Sequence, residues 1–125
     1  MLVLTGCAGL RPNACAPGLQ AMKQVQLFFG RNIAGRAMVS DDEWRRFLDE
    51  EVTTRFPAGF SVAEIDGQYR NASGGIAREQ SKELLIVVPG DVADQAKLAA
   101  IRDAYKRRFN QDSVLLVESA VCAAF

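Results

Sequence analysis

The densest run of side chains able to do chemistry is Arg78-Glu79-Gln80-Ser81-Lys82. A second polar run, Gly67-Gln68-Tyr69-Arg70, lies just upstream, across a glycine-containing turn at residues 71–75. If the two runs are neighbouring strands, Gln68, Arg78, Glu79, Ser81 and Lys82 come close together, and Arg55 could join them. Arginine binds carboxylates and phosphates through paired N–H donors, so the set could line a small anion site. Glu79 could act as a base if it were desolvated. The same residues more simply make a cross-strand ion-pair patch, with Arg55 tying down a helix end. Ion-pair networks gather polar residues without any function. No catalytic residue is assigned.

Other chemistries lack their residues. The chain has no histidine, which removes the commonest general base and metal ligand and any Ser-His or Cys-His pair. Its three cysteines, Cys7, Cys15 and Cys122, do not have zinc-type spacing, so neither metal nor cofactor is expected. Gly30-Arg31-Asn32 with Gly35-Arg36 could form a backbone nest for phosphate, but it lacks the P-loop pattern and reads as a strand-to-helix loop. Lysine plus arginine number 15, and aspartate plus glutamate also number 15. Zero net charge argues against nucleic-acid binding, which needs a basic surface to displace counterions. No run approaches the roughly 18 apolar residues of a membrane helix.

The elements that must position these residues are legible from periodicity. Residues 23–30 alternate Val25, Leu27 and Phe29 with Gln24, Gln26 and Phe28, a strand pattern. Ser40 and Glu43 form a capping box, with Val39 placed to staple onto Trp44. Trp44, Phe47, Leu48, Val52 and Phe56 then recur at helical spacing until Pro57 ends the helix. Residues 60–69 make a weaker strand, in which Gly67 suggests a bulge or an exposed edge. Residues 82–88 contain Leu84-Leu85-Ile86-Val87-Val88, apolar on both faces and suited to a sheet centre. Asp91 caps a second helix whose Leu98, Ile101, Tyr105 and Phe109 share a face. A last strand follows at residues 113–118.

The order β-α-β-β-α-β predicts an α+β, ferredoxin-like sandwich. Two helices would cover one face of a four-stranded antiparallel sheet of order 4-1-3-2. Leu85 and Val87 point away from Leu84, Ile86 and Val88, so the helix-free face also carries apolar side chains. That predicts a homodimer through the open sheet face, or a tail folded across it. In that strand order the start of the first strand and the end of the fourth share one corner. Cys15 and Cys122 can both reach it, and a disulfide between them is expected.

Leu4-Thr5-Gly6-Cys7 resembles the lipobox of bacterial lipoproteins. The resemblance implies that Cys7 is lipidated and becomes the first residue of the mature chain. Residues 1–7 would be the remnant of a signal peptide, 8–21 a tether, and 22–125 a single domain. Ala8 after Cys7 favours the outer membrane over inner-membrane retention. Only six residues precede Cys7, without a basic n-region. Either a start codon lies upstream of Met1 or the sequence is truncated; the competing reading is a cytosolic protein with a short apolar N-terminal stub. An oxidising envelope compartment would let the disulfide persist.

Read whole, residues 15–125 resemble the proteobacterial family called domain of unknown function 3574. The resemblance is carried by Gln26-Leu27-Phe28-Phe29-Gly30, Trp44 with Phe47, Thr54-Arg55-Phe56-Pro57-Ala58-Gly59, Gly67-Gln68-Tyr69-Arg70 and Arg78-Glu79-Gln80-Ser81-Lys82. It continues through Ala104-Tyr105-Lys106-Arg107-Arg108-Phe109, Ser113-Val114-Leu115 and Cys122. It implies an exported lipoprotein and carries no activity. The function expected is a non-enzymatic envelope lipoprotein that binds a partner or small ligand, facing the periplasm from a lipid anchor at Cys7. The alternative is a small cofactor-independent enzyme of the dimeric α+β barrel type, by analogy of fold.

Overall fold

A computed structural model of the chain describes residues 15–125. The expected lipobox with Cys7, and residues 8–14 of the expected tether, lie outside the described residues.

Strand β1 runs from Gln20 to Gly30, three residues longer at its start than the alternation alone suggests. Its Val25, Leu27 and Phe29 are fully buried. Helix α1 spans Asp41–Phe47, and its start is capped as expected. The Ser40 hydroxyl accepts from the Glu43 N–H, and the Glu43 carboxylate accepts from the Ser40 N–H. The helix then widens into a π-helical stretch, Leu48–Thr53. A π turn brings residues five apart onto one face, which sets Val52 below Phe47, both fully buried.

Strand β2, Ser61–Arg70, and strand β3, Ile76–Val88, form a hairpin. Its turn is held by Asn71, whose side-chain oxygen accepts from the Gly75 N–H. Gly74 there sits at φ +85°, open to glycine without a steric penalty. β3 begins six residues before the strand expected from sequence at residues 82–88, because its polar half extends past the core and pairs with β2. The register is unbroken through Gly67, opposite Glu79, so the glycine marks an exposed edge strand and not a bulge. Helix α2, Val92–Phe109, starts at the Asp91 cap and ends at Asn110, in the left-handed region at φ 49°. Strand β4, Leu115–Ala123, closes the chain.

The sheet order is β2-β3-β1-β4 and every pairing is antiparallel. This is the expected α+β arrangement, with the two strands that bury the most apolar side chains, β1 and β3, in the centre. Val25, Leu27 and Phe29 of β1 and Leu84, Ile86 and Val88 of β3 share one face. Trp44 and Phe47 of α1 and Leu98, Ile101, Tyr105 and Phe109 of α2 complete the core with them. The Phe29 ring meets Trp44, Phe47 and Tyr105 edge-on, with centroids 4.8–5.8 Å apart.

The opposite face carries Met22, Phe28, Leu85 and Val87 half-buried, and Leu115 and Val117 exposed. The tail does not cover it, since Phe125 is 96% exposed. Cys15 and Cys122 form a disulfide with Cα atoms 5.6 Å apart, across a sequence separation of 107.

Candidate functional site

The pleat of β3 divides the polar run. Successive side chains on a strand point to opposite faces. Arg78 and Lys82 therefore lie on the helix side, and Glu79 and Ser81 on the open side. Gln68 sits opposite Arg78 in the register, and both are exposed. Arg55 is at the other end of the sheet. Its guanidinium donates to the Glu51 carbonyl at 2.8 Å and pairs with the Glu51 carboxylate at 2.7 Å, so it ties down a helix end. There it borders a separate hollow of about 550 Å³ with Phe56, Phe60, Leu85 and Val87. The six sequence candidates thus stand in different places, and only Glu79 and Ser81 share a cavity.

Lys82 is buried and its ammonium reaches the carboxylates of Asp41 and Glu64. Arg31, also buried, donates to the Val39 carbonyl at 2.8 Å and to Asp41 at 3.1 Å. The hydrogen bond from Lys82, then its charge and that of Arg31, hold the Asp41 carboxyl below its usual range. Two cations meet two carboxylates here, and no buried side-chain polar atom among the described residues lacks a partner. The set fastens the start of α1 to the sheet. Both cations are buried in these contacts, while the carboxylates of Asp41 and Glu64 stay largely exposed.

Glu79 is placed differently. Its carboxylate lies over Gly30 at the end of β1, and a β-carbon there would come within 2.6 Å of Oε1. The same oxygen accepts from the Asn32 N–H at 2.9 Å. On the other side, Gly67 of β2 faces Glu79 in the register. A β-carbon on Gly67 would meet the Glu79 carbonyl at 3.5 Å and the Ser81 hydroxyl at 3.9 Å. Two glycines therefore flank one carboxylate and leave a trough in the open face of the sheet. Behind it, the Tyr105 hydroxyl donates to the Gly30 carbonyl at 2.7 Å. Burial pushes the Tyr105 hydroxyl well above the usual phenol range; the charge of Arg31 opposes the shift and that of Glu79 adds to it.

The trough opens into a cleft of about 740 Å³. Phe28, Ile65 and Leu115 supply apolar walls, and Tyr69 stands at the rim. The loop before α1, through Asn32 and Ile33, and the α2–β4 loop, through Asn110 and Gln111, enclose the end. The Gln111 amide donates to the Asn32 carbonyl at 2.6 Å and joins the two loops. Glu79 and Ser81 come from the polar run of β3, whereas Gly30 and Asn32 belong to the loop that resembled a phosphate nest in sequence and join the site as neighbours of Glu79. Gly67 was visible as a glycine inside a strand, a signature of close approach. No cluster of three or more potential metal ligands occurs among the described residues.

Fold and cleft together define a ferredoxin-like α+β sandwich with a ligand-sized hollow at one end of its open sheet face. The chain belongs to the family described as Protein of unknown function (DUF3574), whose family model matches residues 24–125. No curated protein matches it. Among solved structures it is similar to a phage SAM lyase in complex with S-methyl-5'-thioadenosine, at 16% identity and a TM-score of 0.61, covering 83% of this chain and 90% of that one. It is also similar to CutA from Synechococcus elongatus, at 13% identity and a TM-score of 0.54, covering 83% and 80%. At such identities the likeness establishes the fold alone.

Proposed function

We propose that the chain is a non-enzymatic binding module of the bacterial cell envelope that takes a small ligand in the Glu79 cleft. The observation that carries this is the Gly30–Glu79–Gly67 trough, where two residues without side chains keep a carboxylate accessible in a concave, apolar-walled space. The test is an amide-shift titration of the labelled protein with a library of small fragments. Shifts at Gly30, Asn32 and Gly67, lost when Gly67→Val fills the trough, support the proposal. Fragments that bind only elsewhere would overturn it.

The compartment belongs to the same proposal. The resemblance of Leu4-Thr5-Gly6-Cys7 to a lipobox and the Cys15–Cys122 disulfide both suit a lipid-anchored protein facing the periplasm, with the outer membrane favoured. Labelled palmitate should enter the natural, full-length gene product expressed in its own host, and Cys7→Ser should abolish the label. Label that persists in that variant would refute the anchor. A homodimer through the open sheet face completes the proposal, supported by the uncovered Leu115 and Val117.

One observation favours a second reading, a cofactor-independent enzyme. Glu79 is a half-buried carboxylate facing a cleft, as a general base would be, and a lyase shares the fold. Incubation with SAM distinguishes the two. Formation of S-methyl-5'-thioadenosine, lost in Glu79→Gln, would establish the enzyme; binding without turnover favours the module.

A further inference from the structure

We infer that the Glu79 cleft selects an organic cation, an ammonium or sulfonium group carried on a flat apolar body. This rests on the reading of the cleft as a ligand site. The charge of its lining carries the inference: Glu79 and Asp112 contribute carboxylates, and no lysine or arginine lines it. Among the described residues, none of the ion pairs includes Glu79. Its neutral partner is the Asn32 N–H, which takes Oε1; among the described residues no donor reaches Oε2.

The nearby cations are committed elsewhere. Lys82 and Arg31 lie on the other side of the sheet, buried and held by Asp41 and Glu64. Neither can swing through the sheet to neutralise Glu79. An anion entering the cleft would therefore meet uncompensated negative charge at short range, in surroundings less screened than water. The anion site expected from the arginines does not carry over to this cavity, because Arg55 and Arg78 lie outside it.

A cation meets the opposite conditions. Glu79 gives it a charge-assisted hydrogen bond or a Coulombic contact. Phe28 and Tyr69, which line the cleft, can add the attraction that aromatic rings offer to positive charge. Ile65 and Leu115 then bury an apolar body attached to it.

Three probes of one shape and different charge test the inference: benzylamine, benzyl alcohol and benzoate, each titrated into the labelled full chain. Benzylamine should shift the Gly30, Asn32 and Gly67 amides. Glu79→Gln should weaken that binding roughly tenfold, the loss of one charge-assisted contact. Benzyl alcohol should bind more weakly and be indifferent to the substitution, and benzoate should not bind. If benzyl alcohol or benzoate shifts the same amides as strongly as benzylamine, the cation is wrong while the cleft remains a ligand site. If none of the three shifts them, both readings fall. The rest of the spectrum, unchanged in Glu79→Gln, excludes misfolding as the cause.

Discussion

The carboxylate of Glu79 occupies the space that a side chain at Gly30 would need, with Oε1 2.6 Å from the position of the missing β-carbon. The contact is with the far end of a flexible side chain, so it constrains function more than folding. Gly30→Ala should leave the protein folded, at a cost of less than about 1 kcal/mol. It should also swing Glu79 away from the Asn32 N–H and open the cleft to water. Denaturant unfolding reads the first effect and benzylamine titration the second. A variant that binds as the parent does would show that the glycine has no part in the site.

The Cys15–Cys122 bridge closes almost the whole domain into one loop. The chain-entropy model gives on the order of 4–5 kcal/mol for a loop near this length, an upper value. Cys122→Ser should therefore cost about 2–5 kcal/mol in denaturant unfolding, and the parent should lose a similar amount under reductant. Thiol titration of protein purified without reductant should find Cys15 and Cys122 unreactive. Free thiols at both positions would count against the bridge and against an oxidising compartment.

Acid should loosen the start of α1. The Ser40 N–H, and then Arg36, lower the Glu43 carboxyl from 4.5 to about 2. A depressed carboxyl contributes stability that is present above its unfolded value and is lost as pH falls through the folded one. Stability should accordingly decline between pH 4.5 and about 2. Asp41, also lowered, adds to the decline in the same direction. Glu43→Gln should flatten this part of the profile, measured by denaturant unfolding at each pH. An unchanged slope would mean the capping box is not formed in solution.

Light scattering should detect a dimer that strengthens with concentration. Leu115 and Val117 are 59% and 38% exposed on the uncovered sheet face. Val117→Lys should shift the protein toward monomer without a loss of stability, because the position is not in the core. A monomer at high concentration would rule out the homodimer.

The sequence alone determined the order of the elements and the buried stripes, though not the π-helical stretch at Leu48–Thr53 or the full reach of β3 and β4. Each rests on local spacing: period two in β1, the Ser40–Glu43 box, the helical recurrence of Leu98, Ile101, Tyr105 and Phe109. Topology followed, because a strand apolar on both faces, such as the one holding Leu84 to Val88, is stable only inside a sheet. The Cys15–Cys122 pairing was legible for the same reason, since strand order fixes which ends share a corner. The site was legible only in part. Arg78, Glu79, Ser81 and Lys82 are neighbours in the chain, but the pleat sends them alternately to opposite faces. Lys82 became a buried tie to Asp41 and Glu64, while Glu79 turned to the cleft. Which of them would face open space depended on what adjoining strands placed beside them, and that was decided only by the tertiary structure. Gly30 and Glu79 are 49 positions apart in the chain. The missing side chain of one makes room for the carboxylate of the other only once β1 and β3 are paired in register.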